Sequence, residues 1–189
     1  MAVDLVKGQK ISLEKEGGQA LSRVVMGLGW DPVKKKGFFS KKTADIDLDA
    51  SCILFDESKT PLDAVWFRQL KSQDGSIIHT GDNLTGEGDD EQIIVNLNKV
   101  PAQVKYLAFT VNSFQGQSFN EVESAFCRLV DDSTGAEIAR YALSGGGEHT
   151  ALIMAKLYRH QGQWKMHAIG QPARGRVFEE MLPDIISLL

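Results

Sequence analysis

Apolar positions along this chain recur mostly every second residue, the period of a strand with one face buried. Residues 45–55 show it most cleanly. Asp45, Asp47 and Asp49 fall on one face, and Ile46, Leu48 and Ala50 on the other. Residues 22–29 are mostly apolar and bounded by Gly and Asp, and further strands are predicted at 93–97, 106–111, 125–130, 136–143, 151–159 and 163–170. His160-Gln161-Gly162 separates the last two in the manner of a tight hairpin, and residues 131–135, Asp-Asp-Ser-Thr-Gly, form a second hairpin signal. Eight or more short strands with Gly and Asp punctuation predict a mainly β protein, an antiparallel β-sandwich.

Helical spacing is scarce. Residues 119–122 suit a single turn. At the C-terminus Val177, Met181, Ile185 and Leu188 fall near helical spacing, which predicts a short helix over 177–189, within a C-terminal unit of about 175–189. Pro183 interrupts that stripe, and its apolar side is expected to pack on the sandwich. No repeat or Pro-rich linker divides the chain, so residues 1–189 read as one domain.

Composition narrows the function classes. The chain has 189 residues, 42% apolar and 24% charged, which is ordinary for a globular domain and excludes disordered and coiled-coil classes. A net charge of −4 gives no whole-chain signature of nucleic-acid binding. The N-terminus lacks a basic segment followed by an apolar one, and no run approaches the length of a membrane span. Cys52 and Cys127 stand far apart within apolar runs and are expected to be buried thiols in a reducing compartment. The expected location is the cytoplasm, with a peripheral position at the inner membrane surface as its variant.

The candidate chemistry is acidic. Five carboxylates and an Asn (Asp82, Asn83, Glu87, Asp89, Asp90 and Glu91) crowd into the ten positions 82–91, with Gly86 and Gly88 among them and Gly81 just before. Carboxylates this close repel one another unless a cation intervenes. Hard divalent cations take six to eight oxygens from carboxylates, amide carbonyls and backbone carbonyls, and glycines let a loop curl to present the last. A solvated acidic turn accounts for the composition equally well. The aspartates at 45, 47 and 49 add a second acidic face, suited to a cation at a strand end, and Asp31 stands at another predicted strand terminus. An EF-hand beginning at Asp45 is excluded. Its sixth position is Ala50 rather than Gly, its twelfth is Asp56 rather than Glu, and no helical pattern flanks it.

At these residues the chain resembles the TerD family of tellurium-resistance and stress-response proteins. The resemblance rests on Gly27-Leu28-Gly29-Trp30-Asp31, on Asp47-Leu48-Asp49-Ala50-Ser51 and on the run His79 to Gly88, with support from Ser118-Phe119, residues 125–130 and Tyr158-Arg159-His160. It implies a β-sandwich, acidic loops holding one or two Ca²⁺ ions, and no recognised catalytic activity. It further implies protein partners in the same resistance and stress system, some membrane-associated, and a role in protein assembly. Carried onto this chain, the implied ligands are Asp31, Asp47, Asp82, Asn83, Glu87 and Glu91, with backbone oxygens of Gly86 and Gly88. Asp45, Asp49, Asp89 and Asp90 form a second rank. The run Asp89-Asp90-Glu91 is shorter than the Asp-Gly-Asp-Asp-Glu run of many members. An insertion at 33–43 resembles a longer variant found in part of the family, and it is expected to be flexible.

That insertion carries Lys34, Lys35, Lys36, Lys41 and Lys42 around Phe38 and Phe39. Five cations and two aromatics suit anionic headgroups, which makes a calcium-dependent membrane-surface module the alternative reading, beside a plain solvated loop. A hydrolytic enzyme using the acidic cluster is the weaker alternative. His79, His149, His160 and His167 match no zinc spacing, and Gly145-Gly146-Gly147 lacks the Lys and Ser/Thr of a phosphate loop. His79, a possible general base beside the loop, reads more simply as a strand-end histidine satisfied by local hydrogen bonds.

Overall fold

The computed structural model describes residues 2–15, 17–30, 48–82, 89–121, 125–142 and 147–189, with Asp82 and Glu121 described by backbone alone. In chain order the strands are β1 (Val3–Leu5), β2 (Lys10–Ser12), β3 (Arg23–Gly29), β4 (Leu48–Phe55), β5 (Pro61–Val65) and β6 (Ile77–Asp82). They continue as β7 (Glu91–Asn96), β8 (Tyr106–Ser113), β9 (Phe126–Asp131), β10 (Ala136–Ala142), β11 (Ala151–His160) and β12 (Gln163–Ala173). Two six-stranded sheets result, β1-β10-β9-β3-β7-β6 and β2-β12-β11-β8-β4-β5.

Alternation sets which side chains meet between the sheets. On β4, Leu48, Ala50, Cys52 and Leu54 enter the main core, while Ile53 and Phe55 project from the opposite face. From the first sheet, Val24, Met26 and Leu28 of β3 and Ile93 and Val95 of β7 meet them. Ile53 and Phe55 are buried because the C-terminal segment covers that outer face. Phe178, Met181 and Ile185 pack there against Ile53, Phe55, Ala108 and Ile153. A strand buried on both faces reads as a nearly continuous apolar run, as residues 52–55 do.

The predicted antiparallel sandwich with a short C-terminal helix is the architecture found, and three details differ. β1 pairs with β10 in parallel. The chain passes from β1 at the edge of one sheet to β2 at the edge of the other, so no hairpin forces β1 to run antiparallel. The predicted helix is split: a 3₁₀ turn covers Phe178–Met181 and α1 covers Leu182–Ser187. Pro183 lies in the first turn of α1, where its missing N–H is not needed. The strands β1, β2, β5 and β6 lie outside the predicted set. Both hairpin signals hold. Gln161 and Gly162 have φ of 50° and 80°, the left-handed pair of corners a two-residue hairpin wants, and Gly135 closes the β9–β10 turn at φ 70°.

Register fixes one end of the sandwich as the place where the acidic segments open. In the first sheet Leu28 opposes Glu91, Asp82 opposes Glu91, Gly29 opposes Phe126 and Ala142 opposes Phe126. In the second, Leu48 opposes Ser113 and Ala151 opposes Asn112. The Ala50 N–H of β4 donates across the sheets to the Glu91 carboxylate of β7, so both sets of strand termini share that end.

Candidate functional site

Three consecutive acids, Asp89, Asp90 and Glu91, stand where the chain enters β7, and each is drawn to a different neighbour. Glu91 begins β7 on its inward face and is only 3% exposed. Its Oε2 accepts the Ala50 N–H and lies 3.6 Å from Nε2 of His79, which is equally buried. His79 Nδ1 accepts the Gly81 N–H at 3.0 Å. A neutral imidazole that accepts through Nδ1 carries its proton on Nε2, so the N–H end of the ring faces the Glu91 carboxylate. The local hydrogen bonding that the sequence suggests holds for Nδ1 alone, since Nε2 is buried without a hydrogen-bond partner among the described residues.

Asp89 goes to the outer face of the first sheet. Gln92 of β7, Gly27 of β3, Arg128 of β9, Arg140 of β10 and Asp4 of β1 are register neighbours and make one row across the strands. Gly27 leaves a gap in that row, and the Asp89 carboxylate occupies it. A Cβ at position 27 would stand 2.0 Å from Asp89 Oδ2. From one side Arg128 donates through Nε to Oδ1 at 2.7 Å and through Nη2 to Oδ2 at 3.1 Å. From the other, Gln92 Nε2 donates to Oδ2 at 3.1 Å. The Asp89 hydrogen bond, and then its charge, hold the Arg128 guanidinium above the ordinary arginine range, although burial opposes it. Arg128 also donates to Glu137, which is held below its ordinary carboxylate value first by the hydrogen bonds from Arg140. Gly29 has a matching reason: the Phe126 ring lies where its Cβ would be, and Arg140 stacks 4.2 Å above that ring.

Asp90 closes the end of β3. Its Oδ2 accepts the Trp30 N–H at 2.7 Å, and its own N–H donates to the Leu28 carbonyl at 2.8 Å. Asp49 lies on the outward face of β4, half-buried and opposite Asn112, whose Nδ2 donates to the Arg176 carbonyl at 2.6 Å. Asp82 ends β6 opposite Glu91. The remaining sequence candidates, Asp31, Asp45, Asp47, Asn83, Gly86, Glu87 and Gly88, lie outside the described residues, as do Lys34, Lys35, Lys36, Phe38, Phe39, Lys41 and Lys42. Among the described residues, no group of three or more His, Cys, Asp or Glu side chains is arranged to hold a metal ion.

Sequence reasoning missed Gly27, Gln92 and Arg128 as partners of Asp89. A Gly-x-Gly in a strand that is otherwise a nearly continuous apolar run was the available sign, since strand glycines often mark close approach by another group. Cys52 and Cys127 are free and buried as expected. Burial pushes the Cys127 thiol up to about 12 and raises that of Cys52 as well, so neither is a reactive thiolate at neutral pH. No helix among the described residues is long and apolar enough to cross a membrane.

The TerD domain model matches residues 1–184. Tellurium resistance protein TerZ of Serratia marcescens is 54% identical over 190 residues, covering 98% of this chain and 97% of that protein. General stress protein 16U of Bacillus subtilis (strain 168) is 42% identical, with 93% of each covered. A solved structure of a homologue of telluride resistance protein (TerD) from Streptomyces coelicolor A3(2) superposes with a TM-score of 0.66. At 19% identity, over 82% of this chain and 92% of that one, it supports the fold alone. Coverage from end to end and identities well above 30% leave one assignment: the chain belongs to the TerD family.

Proposed function

We propose that this protein is a non-catalytic stress-response protein that binds Ca²⁺ at one end of its sandwich and uses the ordered loops there to assemble with other proteins. The observation that carries the reading is how the described flanks of the two acidic segments are joined. Trp30, which precedes Asp31, is bonded to Asp90, and Ala50, near Asp47 and Asp49, is bonded to Glu91. Both bonds reach the residues that follow the Asp82 to Gly88 run. The described ends of separate acidic stretches are therefore anchored to one region, which suits a large, flexible, oxygen-only site.

The described contacts also sort the acids. Arg128 and Gln92 engage both oxygens of Asp89, which supports a role for it as a staple between strands and keeps it in the second rank of ligands. Asp90 and Glu91 hold backbone N–H groups and anchor the loop's exit. The proposed ligands are Asp31, Asp47, Asp82, Asn83, Glu87 and Glu91, with backbone oxygens of Gly86 and Gly88. Buried, unactivated thiols offer no route for direct chemistry on tellurium oxyanions, and the relatives are named as resistance and stress proteins.

Calorimetric titration of chelator-stripped protein tests this. Ca²⁺ is expected to bind at one or two sites and Mg²⁺ much more weakly, because Mg²⁺ demands compact octahedral geometry and keeps its waters. Absence of Ca²⁺ heat, with no change in melting temperature on adding the ion, overturns the reading.

A further inference from the structure

Two tight turns lie side by side on this molecule, and each carries a phenylalanine where turn chemistry asks for something else. Trp66 and Gln69 exchange backbone hydrogen bonds of 3.1 and 2.9 Å, which places Phe67 and Arg68 at the tip between β5 and β6. The Gly116 N–H donates to the Ser113 carbonyl at 3.0 Å, which places Phe114 and Gln115 at the tip after β8. Gly, Asn, Asp, Pro and Ser are the residues such corners favour. Neither phenylalanine serves the main core. Phe114 is 43% exposed, and the Phe67 ring packs edge-on against it with centroids 5.6 Å apart. Leu70, at the foot of the first turn, is 46% exposed.

The setting of these aromatics is cationic. Arg68 stacks over Trp66 and Phe67 at 5.3 and 5.2 Å. The Arg176 guanidinium lies beside Gly116, within 3.8 Å of the position its Cβ would take. Arg68, Lys71, Arg174 and Arg176 are all exposed, and residues 66–71, 113–118 and 174–177 contain no carboxylate. Of the neighbouring acids, Asp63 is engaged by the Ala64 and Gln73 N–H groups and by Gln69 Nε2, while Glu180 accepts the Arg176 N–H at 2.8 Å. Both turns are held from below, the second by Ser113 Oγ, which accepts the Gln117 N–H at 3.0 Å.

We propose that this patch is a docking surface for an anionic lipid bilayer, with Phe67, Phe114 and Leu70 entering the headgroup layer and Arg68, Lys71, Arg174 and Arg176 facing lipid phosphates. An exposed Phe114 and a half-buried Phe67 with cations beside them fit the boundary between headgroups and acyl chains, where an apolar ring and a charged neighbour are both accommodated. The charges also match the sign of such a surface. The contact uses described side chains rather than the Lys and Phe insertion, and it needs no bound Ca²⁺.

Co-sedimentation with vesicles of phosphatidylcholine alone, or mixed with phosphatidylserine, tests it, with chelator present throughout. The parent protein is expected to bind only the mixed vesicles and to be released by high salt. Loss of one membrane-facing cation costs about fivefold in partitioning. The triple variant Arg68→Gln, Arg174→Gln, Arg176→Gln is therefore expected to lose roughly a hundredfold, and Phe114→Ser to weaken binding with the melting temperature kept. Three results overturn the proposal: no binding of the parent to mixed vesicles, unchanged binding by folded variants, or equal competition by soluble polyglutamate. The last would assign the patch to an acidic polypeptide.

Discussion

Gly27 and Asp89 are remote in sequence and inseparable in space. A carboxylate with 1% of its side chain exposed needs partners that replace water, and Arg128 and Gln92 supply them only because residue 27 has no side chain. Gly27→Ala is therefore expected to push Asp89 off Arg128 and to cost about 1–3 kcal/mol, the ordinary range for overpacking a tight site. Urea denaturation would read this as a lower midpoint at unchanged slope. Asp89→Ala should lose a similar amount, and the two changes combined should cost far less than their sum, because both remove the same contact. Additive losses would mean that Gly27 serves some other contact. The same reasoning explains why this pair escaped sequence reading. The acids at 82–91 stand out by density, but nothing in composition shows that one turns outward to an arginine while another turns inward to a backbone N–H.

At the scale of elements, legibility followed how completely a segment's surroundings are written in its own residues. β3, β4, β7 and β8 to β12 carry alternating or continuous apolar runs because both their neighbours and their covering layers are apolar. β1 and β2 are three residues each at sheet edges, too short to show a period, and β5 opens on Pro61, which reads as a break although an edge strand tolerates it at its first residue. β6 has His79, Thr80, Gly81 and Asp82 within it and so merges with the acidic run. The C-terminal stripe was readable as an apolar face, but its true anchors are Phe178, Met181 and Ile185, since the 3₁₀ turn shifts the register ahead of Pro183. Lys156 Nζ donates to the Leu188 carbonyl at 2.6 Å and Lys59 Nζ to that of Ile186 at 3.3 Å, cations placed where the helix carbonyls lack partners. Ile185→Ala removes a fully buried side chain from the smaller core and is expected to cost about 2–5 kcal/mol. Limited proteolysis should then cut the C-terminal segment first, leaving the two sheets protected. Loss of protection across the whole chain at once would show that the outer layer and the sandwich unfold as one unit.

For the whole molecule, the strand termini divide the work. The end of β4 and start of β5 lie away from the acidic segments, and there the chain turns through residues 56–60 with Glu57 almost fully in water. The opposite end gathers the described flanks of both acidic segments, and carboxylates as close in sequence as those at 82–91 repel one another unless a cation intervenes. If Ca²⁺ relieves that repulsion, it binds the folded chain and not the unfolded one, because the donors are brought together only by the fold. At a hundred times its dissociation constant such an ion stabilises by about 2.7 kcal/mol, roughly 5–11 °C in melting temperature for a chain of this size. Asp82→Asn removes a charge from the proposed site and is expected to abolish most of that shift. Glu57→Gln removes one from the far end and should leave it intact, although both variants change net charge equally. Scanning calorimetry with Ca²⁺ and with chelator separates a local site from a general charge effect. Equal shifts in the two variants would show that calcium acts on overall charge rather than through the loops, whereas a shift lost only in Asp82→Asn locates the ion at the end where Glu91 and Asp90 hold the strands together.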